Sequence, residues 1–125
     1  MRAELKRIWS LEIEDSAELF RPIDCSNFGT WLRLQIGPTN EAGAESFDVL
    51  VCTPEWLKTQ FSNAHKVLSG KNMLILSEFD LSLVRAEVSR WLDESASETW
   101  TETARKLGRF AAWEFEDYKG RQHAP

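Results

Sequence analysis

The feature that most constrains this chain is a pair of strand-like segments that is followed at once by a helix start. Residues 30–36 and 46–52 are rich in β-branched, aromatic and aliphatic residues, and residues 37–45 between them have strong turn chemistry. Thr53, Pro54 and Glu55 then supply an N-cap, a favoured first helical residue and a carboxylate at the positive end of the helix dipole. The sequence predicts an antiparallel hairpin with a long loop and a short helix from Pro54 to about Asn63.

The segment before this hairpin has the period of a half-buried strand. Leu5, Arg7, Trp9, Leu11 and Ile13 occupy the odd positions, and mostly polar residues lie between them. This alternation predicts a first strand over residues 5–13 that buries its odd positions. Residues 14–29 collect turn formers and are predicted to form a loop.

The second half of the chain alternates between strand and helix patterns. Residues 73–76 form a short apolar run and predict a buried strand, and residues 81–92 have helical spacing with Asp80 as N-cap. Thr99 and Glu102 form a capping box for a third helix, which Gly108 could end early. The alternation of aromatic and acidic residues over 113–116 predicts a last strand.

These elements follow one another in the order β-β-β-α-β-α-α-β. We therefore expect one α+β domain over residues 1–118, with a mostly antiparallel sheet of about five strands and two to three helices packed on one face. Residues 119–125 are expected to be a frayed polar tail. The strand order does not follow from the sequence.

Composition narrows the class of function. The chain has 125 residues, 42% of them hydrophobic, and a net charge of −5, which is opposite to the basic surface that direct nucleic-acid binding requires. The charged N-terminus and the lack of a long apolar run predict a cytoplasmic protein without a membrane segment. Cys25 and Cys52 are far apart in the sequence and are expected to stay reduced.

Acidic residues are concentrated in two places. Between Arg33 and Lys58 the charged residues are all acidic, and a second group lies near the C-terminus. A solvated surface is the ordinary interpretation of such groups, but they would also attract a basic protein. The residues proposed to bind a partner are Glu41, Glu45, Asp48, Glu114, Glu116 and Asp117.

The sequence offers little support for a catalytic function. His65 and His123 lack metal-ligand spacing, and a cysteine in the apolar run that ends at Cys52 is more often inert core than a nucleophile. Glu114 and Glu116 could form a carboxylate pair, but an amphipathic strand exposes such residues in any case. No catalytic residue, cofactor or metal is predicted.

The six tryptophans are the most unusual part of the composition. Trp9, Trp56, Trp91 and Trp100 fall on apolar stripes and are predicted to be core residues. Trp31 and Trp113 lie near strand ends, where a half-exposed ring can anchor an interface.

Several motifs together resemble one family. The stretch from Glu45-Ser-Phe-Asp through Val-Cys-Thr-Pro-Glu-Trp-Leu57, preceded by Ile36-Gly-Pro38, resembles the strand-to-helix signature of the immunity protein 8 family of bacterial polymorphic toxin systems. Glu98-Thr-Trp-Thr-Glu102, Lys106-Leu-Gly-Arg109 and Trp113-Glu-Phe-Glu-Asp-Tyr118 resemble its ending, so the resemblance spans nearly the whole chain.

The resemblance implies a protein that neutralises a cognate toxin by stoichiometric binding, without turnover. It implies no specific contact residue and no oligomeric state. Two alternatives remain open: a structural or adaptor subunit that uses an exposed sheet edge, and, with less support, a small enzyme built around Glu114, Glu116 or Cys52.

Overall fold

The structure is a computed structural model and describes residues 1–12, 20–63 and 65–116. Its elements follow the predicted order, and it is a single α+β domain with a mostly antiparallel sheet. They are β1 Ala3–Ser10, β2 Gly29–Pro38, β3 Glu45–Cys52, α1 Pro54–Asn63, β4 Met73–Ile75, α2 Leu81–Ser95, α3 Trp100–Leu107 and β5 Ala112–Trp113.

The sheet is built around β3. Strand β2 pairs antiparallel with one edge of β3, and β1 pairs antiparallel with β2. The other edge of β3 is shared by two short strands. Strand β4 runs parallel to it beside Leu50–Cys52, and β5 runs antiparallel to it beside Phe47 and Asp48.

One face of the sheet, called here the inner face, forms the core with α2 and α3. Alternate residues of the strands point to the same face, so this face collects every second residue of β2 and β3. The buried hydrophobic residues of the two helices belong to the same cluster. Its members include Leu32, Leu34, Ile36, Phe47, Val49, Val51, Val84, Val88, Trp91, Ala104 and Leu107.

The helix boundaries agree with the capping chemistry of the sequence. Asp80 accepts a hydrogen bond from Ser82 N–H, and Thr99 accepts one from Glu102 N–H. Gly108 is the C-cap of α3, which confirms the early end of that helix. Thr53 caps α1 and also receives the N–H of Phe28, so it links the helix start to the beginning of β2.

In the second half of β1, the prediction of which residues face the core is wrong. The pairing with β2 shifts register between Leu5 and Arg7, which marks a β-bulge. Because one extra residue reverses every later side chain, Ile8 and Ser10 point to the core and Trp9 does not. The strand ends at Ser10, and the predicted Ile13 lies outside the described residues.

The tryptophan predictions are confirmed only in part. Trp91 is 3% exposed and stacks on Phe110 with ring centroids 5.2 Å apart, so it is core. Trp100 and Trp113 are half-buried and pack on the edge of the core around Phe47. Trp56 is half-buried outside that cluster.

The position of Trp56 follows from Gly29. A Cβ on Gly29 would collide with the indole of Trp56. Gly29 lies two residues before Trp31 in β2, so a side chain at position 29 would lie on the same sheet face as Trp31, away from α2 and α3. Helix α1 thus places Trp56 over one end of the opposite sheet face.

Candidate functional site

The opposite sheet face, called here the outer face, is where strand-held side chains reach solvent. It collects the residues that alternate with the core residues in β1, β2 and β3. Its paired rows can be followed across the strands from the observed register. They contain Arg7, Gln35 and Ser46; then Trp9, Arg33 and Asp48; then Leu11, Trp31, Leu50 and Met73.

The last row is apolar, and we call its exposed or half-buried members Leu11, Trp31 and Met73, together with Ile75 of the next row, the apolar strip. The N–H of Leu11 donates to the carbonyl of Trp31, which places these residues side by side. Leu11 is 44% exposed, Trp31 41% and Ile75 52%. Trp56 lies beyond this row over Gly29. Large apolar side chains that are contiguous and exposed are typical of binding surfaces.

A charge pair lies beside the apolar strip. Arg33 donates from Nε and from an amino nitrogen to the two carboxylate oxygens of Asp48, each at 2.8 Å. This hydrogen bonding raises the pKa of Arg33, and the negative charges of Asp48 and Glu114 raise it further. On the neighbouring strand the guanidinium of Arg7 lies 4.7 Å from the ring centroid of Trp9, a cation–π contact.

The first predicted acidic group does not form one surface. Glu41 lies in the loop between β2 and β3, where Lys6 donates to its carbonyl oxygen and to that of Gly43. Glu45 is at the start of β3 and accepts from Trp113 Nε1 at 2.8 Å. Glu41 and Glu45 do line one cleft of about 260 Å³ with Trp100. Asp48 lies apart from them, on the outer face.

The second predicted acidic group is held by internal contacts. Glu114 accepts the N–H of Ser46 at 2.7 Å, and Glu116 forms an ion pair with Lys71 at 3.5 Å. The predicted strand over 113–116 is wrong in its length, because β5 ends at Trp113 and a turn follows. Glu114 and Glu116 are therefore not paired on a strand face. Asp117 lies outside the described residues.

The structure thus brings Glu114 of the second predicted acidic group close to the part of β3 that carries Asp48 of the first group, although the two residues are far apart in the sequence. Glu114 contacts β3 through Ser46 and adds negative charge near Arg33, as Asp48 does. Sequence reasoning singled out neither Arg33 nor Ile75. The alternation of Trp31, Arg33 and Gln35 in β2 was the available signal, since these residues share the face that the core residues leave to solvent.

Among the side chains considered for catalysis, Cys52 has the surroundings of a structural residue. Cys52 is fully buried, and burial raises the pKa of its thiol to about 11, which disfavours the nucleophilic thiolate. Cys25 and His65 are exposed, and His123 lies outside the described residues. Within the described part of the chain no three His, Cys, Asp or Glu side chains are grouped as metal ligands.

Comparison with known families decides the relationship. The family model described as immunity protein 8 matches residues 3–118. The chain belongs to the immunity protein 8 family. The match covers β1 through β5, so the whole described sheet and all three described helices are part of the family's domain. Searches among curated proteins and among solved structures found no match.

The helices in the described segments are too short or too polar to span a bilayer.

Proposed function

We propose that this protein neutralises a cognate toxin by direct, stoichiometric binding. The observation that carries the proposal is its membership of the immunity protein 8 family over residues 3–118. Family membership implies protection against a toxin. Binding in a one-to-one complex is the simplest mechanism for a domain in which Cys52 is a buried thiol and Glu114 and Glu116 make internal contacts.

The proposed target is a nuclease toxin, and the argument is electrostatic. A nuclease presents Lys and Arg to phosphates, so an acidic inhibitor can compete for the same groups. The chain carries a net charge of −5, which would attract a basic partner over about 8 to 10 Å at ordinary ionic strength. Such attraction acts mainly on the association rate.

The acidic residues proposed from the sequence contribute to this attraction in different ways. Glu45, Asp48, Glu114 and Glu116 each make an internal contact, so reversing their charge would disturb the fold as well as binding. Glu41 is an exposed loop residue whose described contacts involve its backbone. It is the member of the set that tests binding most cleanly.

The adaptor alternative rests on the sheet edge at β1. Among the described strands, β1 pairs only with β2, so its other side is an edge. The β-bulge between Leu5 and Arg7 interrupts that edge, and Lys6 lies at the bulge. Bulges and lysines are devices that hinder edge-to-edge pairing, so the edge favours the adaptor less than the family membership favours the inhibitor.

The test uses the cognate toxin domain, which is to be sought in the genes beside that of this protein. Titration calorimetry should give one inhibitor bound per toxin, and stopped-flow association should slow as salt is raised. Glu41→Lys should slow association, whereas Glu98→Lys, an equal charge change at an exposed residue between α2 and α3, should slow it less. Absence of a complex, or protection at far less than one inhibitor per toxin, would contradict stoichiometric neutralisation. A salt-independent association rate would contradict the electrostatic part alone.

A further inference from the structure

We infer that the apolar strip on the outer face is the anchor site for the toxin, and that the toxin surface it receives is an apolar protrusion surrounded by basic residues. This inference rests on the proposed function and goes beyond it, because it assigns the contact to apolar side chains of the outer face, a face that the acidic-residue hypothesis included only through Asp48. Three features of the strip support it.

The first feature is exposed apolar area held on a rigid frame. Leu11 and Trp31, which lie side by side, are 44% and 41% exposed, and Ile75, two strands from Trp31 on the same face, is 52% exposed. Leu50 and Cys52 of β3 lie on the same face between Trp31 and Ile75 and are 8% and 0% exposed, so the exposed side chains flank a packed part of the sheet. A partner that covers the strip would desolvate it without ordering a flexible segment, which favours slow dissociation.

The second feature is residue type. Interface hot spots are enriched in Trp and Arg and lie at the centre of a patch that excludes water. Trp31 is at the centre of the strip, and Trp9 and Arg33 form the adjacent row. Asp48 already holds the guanidinium of Arg33 in a two-bond arrangement, so this side chain is ordered before a partner arrives.

The third feature is the charge around the strip, which selects the occupant. Glu12 follows Leu11, Glu55 precedes Trp56, and Glu78 lies three residues after Ile75. All three carboxylates are exposed, and none takes part in an ion pair among the described residues. Together with the net charge of −5, these carboxylates complement a basic partner, although Arg7 and Arg33 lie in the adjacent rows of the same face. A second copy of this chain, with the same net charge of −5, would be repelled.

The first arm of the test removes the anchors. Trp31→Ser and Ile75→Ser, on different strands, should each weaken binding of the cognate toxin domain by about tenfold or more, mainly through faster dissociation. Leu83→Ser is the matched control, because Leu83 is 47% exposed but lies on α2. Urea unfolding of each variant separates a binding defect from a folding defect, and two independent variants keep the test valid if one fails to fold.

The second arm changes the surrounding charge. Glu12→Lys with Glu55→Lys should slow association severalfold, whereas Asp93→Lys with Glu98→Lys changes the net charge equally without altering the surroundings of the strip. A larger effect of the first pair supports the inference.

The outcomes separate the two proposals. If the wild-type protein binds the toxin and both strip variants bind equally well, the anchor assignment is overturned and stoichiometric neutralisation stands. If the wild-type protein does not bind the toxin, both fail. If sedimentation shows a wild-type dimer that Trp31→Ser dissociates, the strip joins two copies of this chain and the assignment to the toxin is overturned.

Discussion

The two faces of the sheet come from the same strands but have opposite character. On the inner face of β2, Leu32 and Leu34 are completely buried under α2 and α3. On the outer face of the same strand, Trp31 is 41% exposed and Arg33 shares a partly exposed ion pair with Asp48. The inner face stabilises the fold, while the outer face holds aromatic and charged side chains in fixed positions before any partner is present.

This difference shows how an α+β domain can separate stability from recognition. Alternation along each strand assigns every residue to one face, so a substitution on the outer face leaves the packing of the inner face unchanged. The following experiments test that separation.

The largest expected loss of stability is for a core residue packed on the inner face. Trp91→Ala should lower the free energy of unfolding by about 3 to 5 kcal/mol, because the lost transfer energy and the cavity add. Trp31→Ala, on the outer face, should lower it by less than about 1 kcal/mol. Urea unfolding measures both. Equal losses would show that the outer face also stabilises the fold.

A smaller loss is expected where α1 reaches the outer face. Gly29→Ala should cost about 1 to 3 kcal/mol, since the added methyl group collides with the indole of Trp56. In a Trp56→Ala background the same substitution should cost little, and a double-mutant cycle measures the coupling. If the stability losses of the two substitutions were additive, Trp56 would not be the residue with which the added methyl group collides.

The buried thiol predicts a dependence of stability on pH. Burial raises the pKa of Cys52 from 9.0 to about 11. The folded state therefore keeps its proton where the unfolded state has lost it, and the stabilisation, complete below about pH 9, is lost as the pH rises through about 11. Urea unfolding from pH 8 to 11 should show a steeper loss for the wild-type protein than for Cys52→Ala. Cys25→Ala, which removes the exposed thiol, should behave like the wild type.

The smallest effect is expected at the Arg33–Asp48 pair. Its side chains are 38% and 23% exposed, so solvent screens the interaction, and its contribution should be about 1 kcal/mol or less. A double-mutant cycle with Arg33→Gln and Asp48→Asn measures it, and added salt should reduce it. A coupling of several kcal/mol would assign this outer-face pair a major role in stability.

The sequence predicted the elements well where a local signal was strong. Pro54 after Thr53, Asp80, the Thr99–Glu102 pair and Gly108 each marked a helix boundary that the structure confirms. Residues rich in β-branched, aromatic and aliphatic side chains on both sides of a turn segment predicted β2 and β3. Period-2 patterning was the signal used for β1. It failed at β1, since a bulge of one residue leaves no clear local signal and reverses the face of Trp9.

The candidate site was predicted less well. The acidic residues were correctly identified as abundant, but charge along a chain does not state which carboxylates already have partners. Glu45 with Trp113 and Glu114 with Ser46 are contacts between residues far apart in the sequence. Of the apolar strip the sequence indicated only Trp31, for the same reason: Leu11, Trp31 and Ile75 come from distant segments that only the sheet brings to one face.

The sequence by itself determined the order of the elements, the α+β class, the helix caps and the family resemblance, because these depend on neighbouring residues and on periods of two or 3.6 residues. Only the tertiary structure decided that β4 and β5 share one edge of β3, that the bulge turns Trp9 outward, and that Trp56 covers Gly29. Strand order and face depend on pairing between distant segments, and the energy of that pairing comes from a core that exists only once the whole chain has packed.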